Sequence, residues 1–373
     1  MKRILLSLTV NVLLIYHASA AASMDLNLQT DSSTVIHEYT YWSDIFLSEE
    51  RRYTLDGTVN SKTKYTNVIY YGSGTPMLDS LLVNKFYHLP IEVIQFDHDK
   101  VVGGKLYSYY PSKKGLRKEE LFLLVPSRGF AIPFKYSGVD GPINPPLPGR
   151  GINHDDRYKL SVTYDVYDSK NNLLQNTAAD GITSSVVWGY NDRYPIAEVS
   201  NAKISDVAYS SFEKRAKGNW QFNGSSSVDI TSPMGEQCYN LAGGTITKTG
   251  LTTNKHYRLS YWQKQGANIT ISGGTVISTV NGRSLDGWTF VVKILNVTGP
   301  VSISGTGFLD ELRLHPKEAF MTSTAYKPLF GVICKADASG RTVYYEYDGF
   351  QRIKYERDQN KNIIQSYTYH IKL

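Results

Sequence analysis

The sequence predicts an all-β protein, on three observations. Tyrosine and glycine are abundant, 28 and 30 of 373 residues, a balance that favours strands and turns over helices. Short runs alternate apolar and polar residues, the period-two pattern of a half-buried strand. Clusters of Gly, Asp, Asn and Pro punctuate those runs.

In chain order, Lys2-Arg3, the apolar stretch Ile4 to Tyr16 and the small-residue site Ala18-Ser19-Ala20 predict an export leader over residues 1–20. The apolar stretch is too short to cross a bilayer as a helix. No other run approaches spanning length, so the mature chain is expected to be secreted or cell-surface, without a transmembrane segment. Removing Lys2 and Arg3 leaves 38 basic against 34 acidic residues, with no run of like charges, so nucleic acid is not implied. Cys238 and Cys334 are the two cysteines; export would permit a disulfide between them, but they read as isolated buried thiols.

Residues 21–140 read as a β-rich region. Its strands are Val35 to Trp42, Thr63 to Tyr71, Ile91 to Phe96, Val101 to Tyr110 and Glu120 to Pro126, with a short helix near Leu78 to Phe86. Asp97-His98-Asp99-Lys100 reads as a hairpin turn, because consecutive turn residues rarely converge on one ion. Residues 141–151 hold Pro142, Pro145, Pro146 and Pro148 and read as a loop or linker. Within residues 152–204, Leu160, Val162 and Tyr164 share a strand face and Asp168 to Asn172 turns the chain. Ile182 to Tyr190 continues as a strand, and His154-Asp155-Asp156 reads as a solvated turn.

The segment from Gly340 to His370 is a hairpin written in sequence. Val343, Tyr345 and Tyr347 share a strand face, Asp348-Gly349 turns the chain with Gly supplying a positive φ, and Arg352 to Arg357 returns. Asp358 to Asn362 turns again, and Ile363 to His370 begins a third strand. This Tyr-x-Tyr-Asp pattern resembles the YD repeat of exported bacterial Rhs-type proteins. Tyr345, Tyr347, Asp348, Gly349, Arg352 and Asp358 carry the resemblance. Gln351 and Lys361 depart from it, standing where the repeat has glycine. Residues 152–204 resemble a degenerate unit of the same kind, and residues 318–373 hold the C-terminal repeat.

Between them, residues 205–317 show regularly spaced strand candidates. These are Phe212-Glu213, Trp220, Ser227 to Ile230, Gly244 to Thr247, Tyr257 to Gln263, Asn268 to Ser272, Trp288 to Leu295, Val301 to Ser304 and Leu309 to Leu314. The pattern fits an antiparallel sandwich and resembles jelly-roll modules of the carbohydrate-binding, galactose-binding-like type. That resemblance implies a structural Ca²⁺ held by Glu213 and Asp310; the alternative is that Asp310 bonds backbone amides at a bend. Trp220, Trp262 and Trp288 with Tyr257 are the residues for sugar stacking, against core packing. Tyr257, Leu259 and Tyr261 share one face, so Trp262 is expected to face outward.

No Gly-x-Ser-x-Gly elbow, His-Glu-x-x-His, P-loop or dinucleotide fingerprint is present, so no catalytic residue is assigned and no cofactor is required. The expected function is a non-catalytic secreted or surface protein with a structural or interaction role. Its partners would be a surface glycan or protein, and it reads as a short or truncated family member without a toxin. The alternative is glycan binding through the sandwich; glycan processing is the third.

Overall fold

A computed structural model describes residues 3–8, 12–15, 35–42, 46–53, 59–72, 75–98, 100–112, 115–124, 134–137 and 152–369. The all-β expectation holds: strands dominate, and their pairings are antiparallel. The chain divides into two units, residues 1–164 and 165–373.

The first unit is a meander. Val35–Trp42, Phe46–Tyr53, Val59–Asn67, Pro90–Asp97, Lys100–Ser112 and Gly115–Leu124 each pair with the next. Arg3–Leu8 and Val12–Ile15, inside the segment read as the leader, have extended backbone and pair with each other. Pro76–Val83 is the helix anticipated near Leu78, shifted toward the N-terminus. Pro76 pre-sets its first turn, and the Thr75 hydroxyl accepts the Leu78 amide at 3.1 Å. Its buried face, Met77, Leu78 and Leu81, packs with Ile91, Ile94, Phe96, Val101 and Leu106. Asn67 ends its strand and Val68–Tyr71 makes one helical turn, so the strand expected to reach Tyr71 stops short.

The strand Phe46–Tyr53 was not anticipated, because Ser-Glu-Glu-Arg-Arg shows no apolar alternation. Cross-strand electrostatics help hold it instead: Glu50 meets His37 at 3.0 Å, and Glu38 lies opposite Arg51. Asp97 and Lys100 face each other across a hairpin with His98 at φ 52°, the turn that was expected. The Pro-rich stretch 141–151 lies outside the described residues.

In the second unit Leu173–Ala178, Thr183–Gly189 and Tyr194–Ser200 form successive antiparallel strands. Tyr194–Ser200 then pairs with Phe320–Lys327, which is followed by Gly331–Ala336, Thr342–Tyr347, Ile353–Arg357 and Ile363–Ser366. Ala197 lies opposite Ser323, so everything between these strands is an insertion into one hairpin array.

The insertion forms its own eight-stranded antiparallel sheet. Lys255–Lys264 sits between Phe308–Pro316 and Trp288–Thr306. Tyr257, Leu259, Tyr261, Val291, Leu295, Leu312 and Leu314 line one core. Two expectations here are corrected. Phe212-Glu213 is a tight turn with Phe212 at φ 60°, and the strands expected to break near Gly273 and Gly299 run through as Asn268–Leu285 and Trp288–Thr306. Gly273 (φ 92°) marks a bulge where a Cβ would lie 1.9 Å from the Pro300 carbonyl oxygen. A glycine that reads as a break is here a close approach within a continuous ladder.

Candidate functional site

One turn recurs in the hairpin array. At Asp348 the backbone N–H donates to the Arg352 carbonyl (2.8 Å), and the Gln351 N–H donates back to the Asp348 carbonyl (3.0 Å). Asp348 Oδ1 accepts the amides of Phe350 (2.8 Å) and Arg352 (3.0 Å). The same bonds recur at Asp168–Asn172, Asp337–Arg341 and Asp358–Asn362. In each turn the fourth residue is left-handed: Asn171 (65°), Gly340 (80°), Gln351 (62°) and Lys361 (66°). Ala178–Ile182 repeats the backbone bonds with Gly181 left-handed. The carboxylate in each turn satisfies amides the ladder cannot reach.

This corrects the reading of Asp348-Gly349. The positive φ falls on Gln351, two residues later, and Gly349 is not left-handed. Gln351 and Lys361 therefore occupy the strained position itself, where a Cβ is costly. Arg352 joins the turn by donating Nε to Asp348 Oδ2 (2.8 Å), and its guanidinium lies 4.3 Å from the Tyr369 ring centre. Tyr347 donates to the Val332 carbonyl at 2.7 Å, tying neighbouring hairpins.

One face of the array carries a groove of about 650 Å³. Its wall includes Glu198, Lys335, Asp337, Arg341, Tyr345 and Asp358. Beside it Tyr194 and Tyr326 stack at 4.8 Å, with Tyr190 edge-on to both at 5.7 Å. Tyr326 donates to the Pro195 carbonyl, and Tyr190 donates to the Tyr326 carbonyl.

The residues expected to hold sugar lie elsewhere. Trp220, Trp262, Trp288 and Tyr257 are each at most 2 % exposed. Trp262 does sit on the face opposite Tyr261, but that face is covered too. It packs with Trp288, Phe290 and Cys238, under the Arg283 guanidinium 5.0 Å from its ring. The outward expectation fails because the sheet is buried on both sides. Tyr257 donates to Asp206 Oδ1 at 2.7 Å, and Trp220 donates to the Leu312 carbonyl at 3.3 Å.

The two carboxylates expected to bind calcium hold one loop instead. Asp310 Oδ2 accepts the Ser232 hydroxyl (2.7 Å) and the Met234 amide (2.9 Å). Glu213 Oε1 accepts the Glu236 and Gln237 amides at 2.7 and 2.6 Å. The oxygens of both are thus occupied by backbone N–H groups, which cannot ligate a cation, and by the Ser232 O–H, which directs its hydrogen at Asp310. Among the described residues no group of three or more His, Cys, Asp or Glu is arranged to hold a metal. The donor set therefore does not fit Ca²⁺. Burial raises the Glu213 pKa above the ordinary carboxylate value, and burial with the neighbouring Glu311 charge raises that of Asp310 further.

Beside Asp310 lies a second buried group. Glu311 is left-handed (φ 52°) where the pairing skips Tyr261. Glu311 accepts from Arg313 Nη2 (2.6 Å) and Tyr209 (2.7 Å). Arg313 also donates to the Asp337 carbonyl (2.7 Å) and to Ser323 (2.8 Å), joining the insertion to the array. Sequence reading missed this pair because it treated Asp310-Glu311 as strand alternation. The bulge turns the Glu311 side chain inward.

His154 and Asp155 are buried, each 5 % exposed, so the solvated turn expected there is corrected. Asp155 receives Arg157 through two bonds of 2.7 Å, and its pKa is lowered to about 2, first by Arg157. Cys238 and Cys334 are buried and unpaired.

No protein-family model matches the sequence, and neither does any curated protein. Among solved structures there is a distant likeness to a chain of the Photorhabdus luminescens Tc holotoxin pore with a mutant TccC3. It shows 14% identity over 90% of this chain and 14% of that one, at a TM-score of 0.23. The crystal structure of TcdB2-TccC3 gives 15% identity over 90% and 15%, at 0.22. That of TcdB2-TccC3-Cdc42 gives 10% over 88% and 14%, at 0.23. The chain spans about a seventh of the length of those it resembles.

Proposed function

We propose that this protein is a non-catalytic structural and interaction protein of the Rhs/YD-repeat type that acts outside the cell. The observation that carries the reading is the aspartate-centred turn, recurring at Asp168, Asp337, Asp348 and Asp358 with the same bonds. A sequence that reuses one turn to add short strands builds surface, and the groove beside Tyr345 offers that surface to a partner. The buried carboxylates of the second unit hold loops and layers together, which is a structural use of charge. The basic and apolar start of the sequence supports export.

Cell fractionation tests this. The protein is expected in the medium or on the surface, degraded by protease added to intact cells, with Ala21 as its first residue. Full-length protein retained in the cytosol would contradict the proposal.

A further inference from the structure

Two hairpins of the second unit end side by side. Lys327 pairs with Gly331 where Phe320–Lys327 returns as Gly331–Ala336. Tyr347 pairs with Ile353 where Thr342–Tyr347 returns as Ile353–Arg357. The Tyr347 hydroxyl reaches the Val332 carbonyl at 2.7 Å, which places both tips at one end of the array. The tips carry exposed apolar side chains: Leu329 at 88 %, Phe350 at 80 % and Phe330 at 42 %.

The fold asks for neither Leu329 nor Phe350. In the first turn the Phe330 amide donates to the Lys327 carbonyl at 3.0 Å, and Leu329 takes φ 71°. That left-handed position suits glycine or asparagine, and a leucine there is costly. At Phe350 the turn uses the amide, bonded to Asp348 Oδ1 at 2.8 Å. Lys170, Ser339 and Asn360 hold the same place in the sister turns, with their amides bonded in the same way. A polar side chain serves that place equally well, so turn chemistry does not explain the apolar residues at 329 and 350.

Behind the tips the residue types change in order. One strand position back stand Tyr326, opposite Val332, and Tyr347, opposite Ile353. Tyr194 stacks on Tyr326, and the Tyr369 hydroxyl donates to the Ile353 carbonyl at 2.8 Å. The Lys327 ammonium lies 5.5 Å from the Phe330 ring centre, and the Arg352 guanidinium 5.2 Å from that of Phe350. Glu236 and Asp348 pair with these two cations, so bulk charge selects little here. Apolar side chains outermost, then tyrosines and long cationic side chains, is the order of groups across a membrane interface.

Leu329 and Phe350 stand on separate turns, as single projections and not as one apolar face. A fluid acyl layer accepts single projections, whereas a protein partner would need a pocket for each. The opposite end of these strands differs: its turns Asp337–Arg341 and Asp358–Asn362 present Ser339 and Asn360 at the place of Phe350. We propose that the end of the array bearing Leu329 and Phe350 docks on a lipid bilayer. Leu329 and Phe350 enter the acyl boundary, and the tyrosines, Lys327 and Arg352 stay at headgroup level.

The test is sedimentation of the full chain with phosphatidylcholine vesicles, with and without phosphatidylglycerol. Half the protein is expected to sediment at about 1 mM lipid, weaker than a single myristoyl chain. Raised salt should change this little, because the cations at the tips are paired. Leu329→Asn and Phe350→Ser should each weaken binding about tenfold. Both are expected to melt no lower than wild type, since asparagine suits a left-handed position and serine already fills the matching place at Ser339. Phe320, 67 % exposed at the far end of its strand, is the control, and Phe320→Ser should bind as wild type does. No sedimentation up to about 5 mM lipid, binding unchanged in the double variant Leu329→Asn, Phe350→Ser, or binding abolished by salt would overturn the proposal.

Discussion

Arg313 donates Nη2 to Glu311 Oε1 at 2.6 Å with both side chains at most 2 % exposed, and the same guanidinium reaches the Asp337 carbonyl at 2.7 Å. The inserted sheet and the hairpin array thus share one buried charge pair. Removing either partner strands the other. Arg313→Met is expected to cost about 3–5 kcal/mol in urea denaturation, as for other broken buried pairs. The double variant Glu311→Met, Arg313→Met should lose less than the two single losses added. Additive losses would mean that the two side chains do not act as a pair.

The turn at Asp348 separates two glycine questions. Gln351 is left-handed and Gly349 is not, with nothing within 4 Å of a Cβ placed at Gly349. Gln351→Gly should stabilise by about 0.5 kcal/mol, relief of left-handed strain offset by glycine's chain entropy. Gly349→Ala should be neutral or stabilise by about 0.4–1 kcal/mol. Thermal unfolding of both variants checks the assignment, and destabilisation by Gly349→Ala would return the special conformation to Gly349.

The turn carboxylates make the array sensitive to acid. The Asp348 pKa is lowered, chiefly by the Arg352 amide and then by its guanidinium. Burial opposes the charge at Asp337, but Ser339 and the amides outweigh it, so the net shift is again downward. A depressed folded pKa gives stability that is full above the unfolded value of 3.8 and lost as pH falls through the folded one. The stability difference between wild type and Asp348→Asn should therefore be constant at pH 5–7 and shrink below about pH 4. Chemical denaturation across that range measures it.

Trp262 tests the buried reading of the aromatic set. Trp262→Ala should destabilise by about 3–5 kcal/mol through the cavity left against Trp288 and Phe290. A loss below about 1 kcal/mol would be the signature of an exposed ring.

Much of this fold is legible in sequence because its signals are local. Val35–Trp42 was predicted with its observed ends, and the Asp358–Asn362 turn falls where it was read. What escaped reading depends on distant partners. Phe46–Tyr53 alternates no apolar residues and gains its place from charges on Val35–Trp42. Trp262 faces away from Tyr261 as period two requires, but only the folded chain shows that this side is covered, by Trp288, Phe290, Cys238 and Arg283. Gly273 and Glu311 owe their roles to bulges, which shift register by one residue and leave no compositional mark.

The central claim is that one aspartate-centred turn is the repeated unit of this protein. Single alanine substitutions at Asp168, Asp337, Asp348 and Asp358, compared by thermal unfolding with the exposed Asp156→Ala, test it most directly. The account predicts that all four turn variants melt clearly below wild type, while Asp156→Ala melts with it. Four turn variants indistinguishable from Asp156→Ala would contradict it.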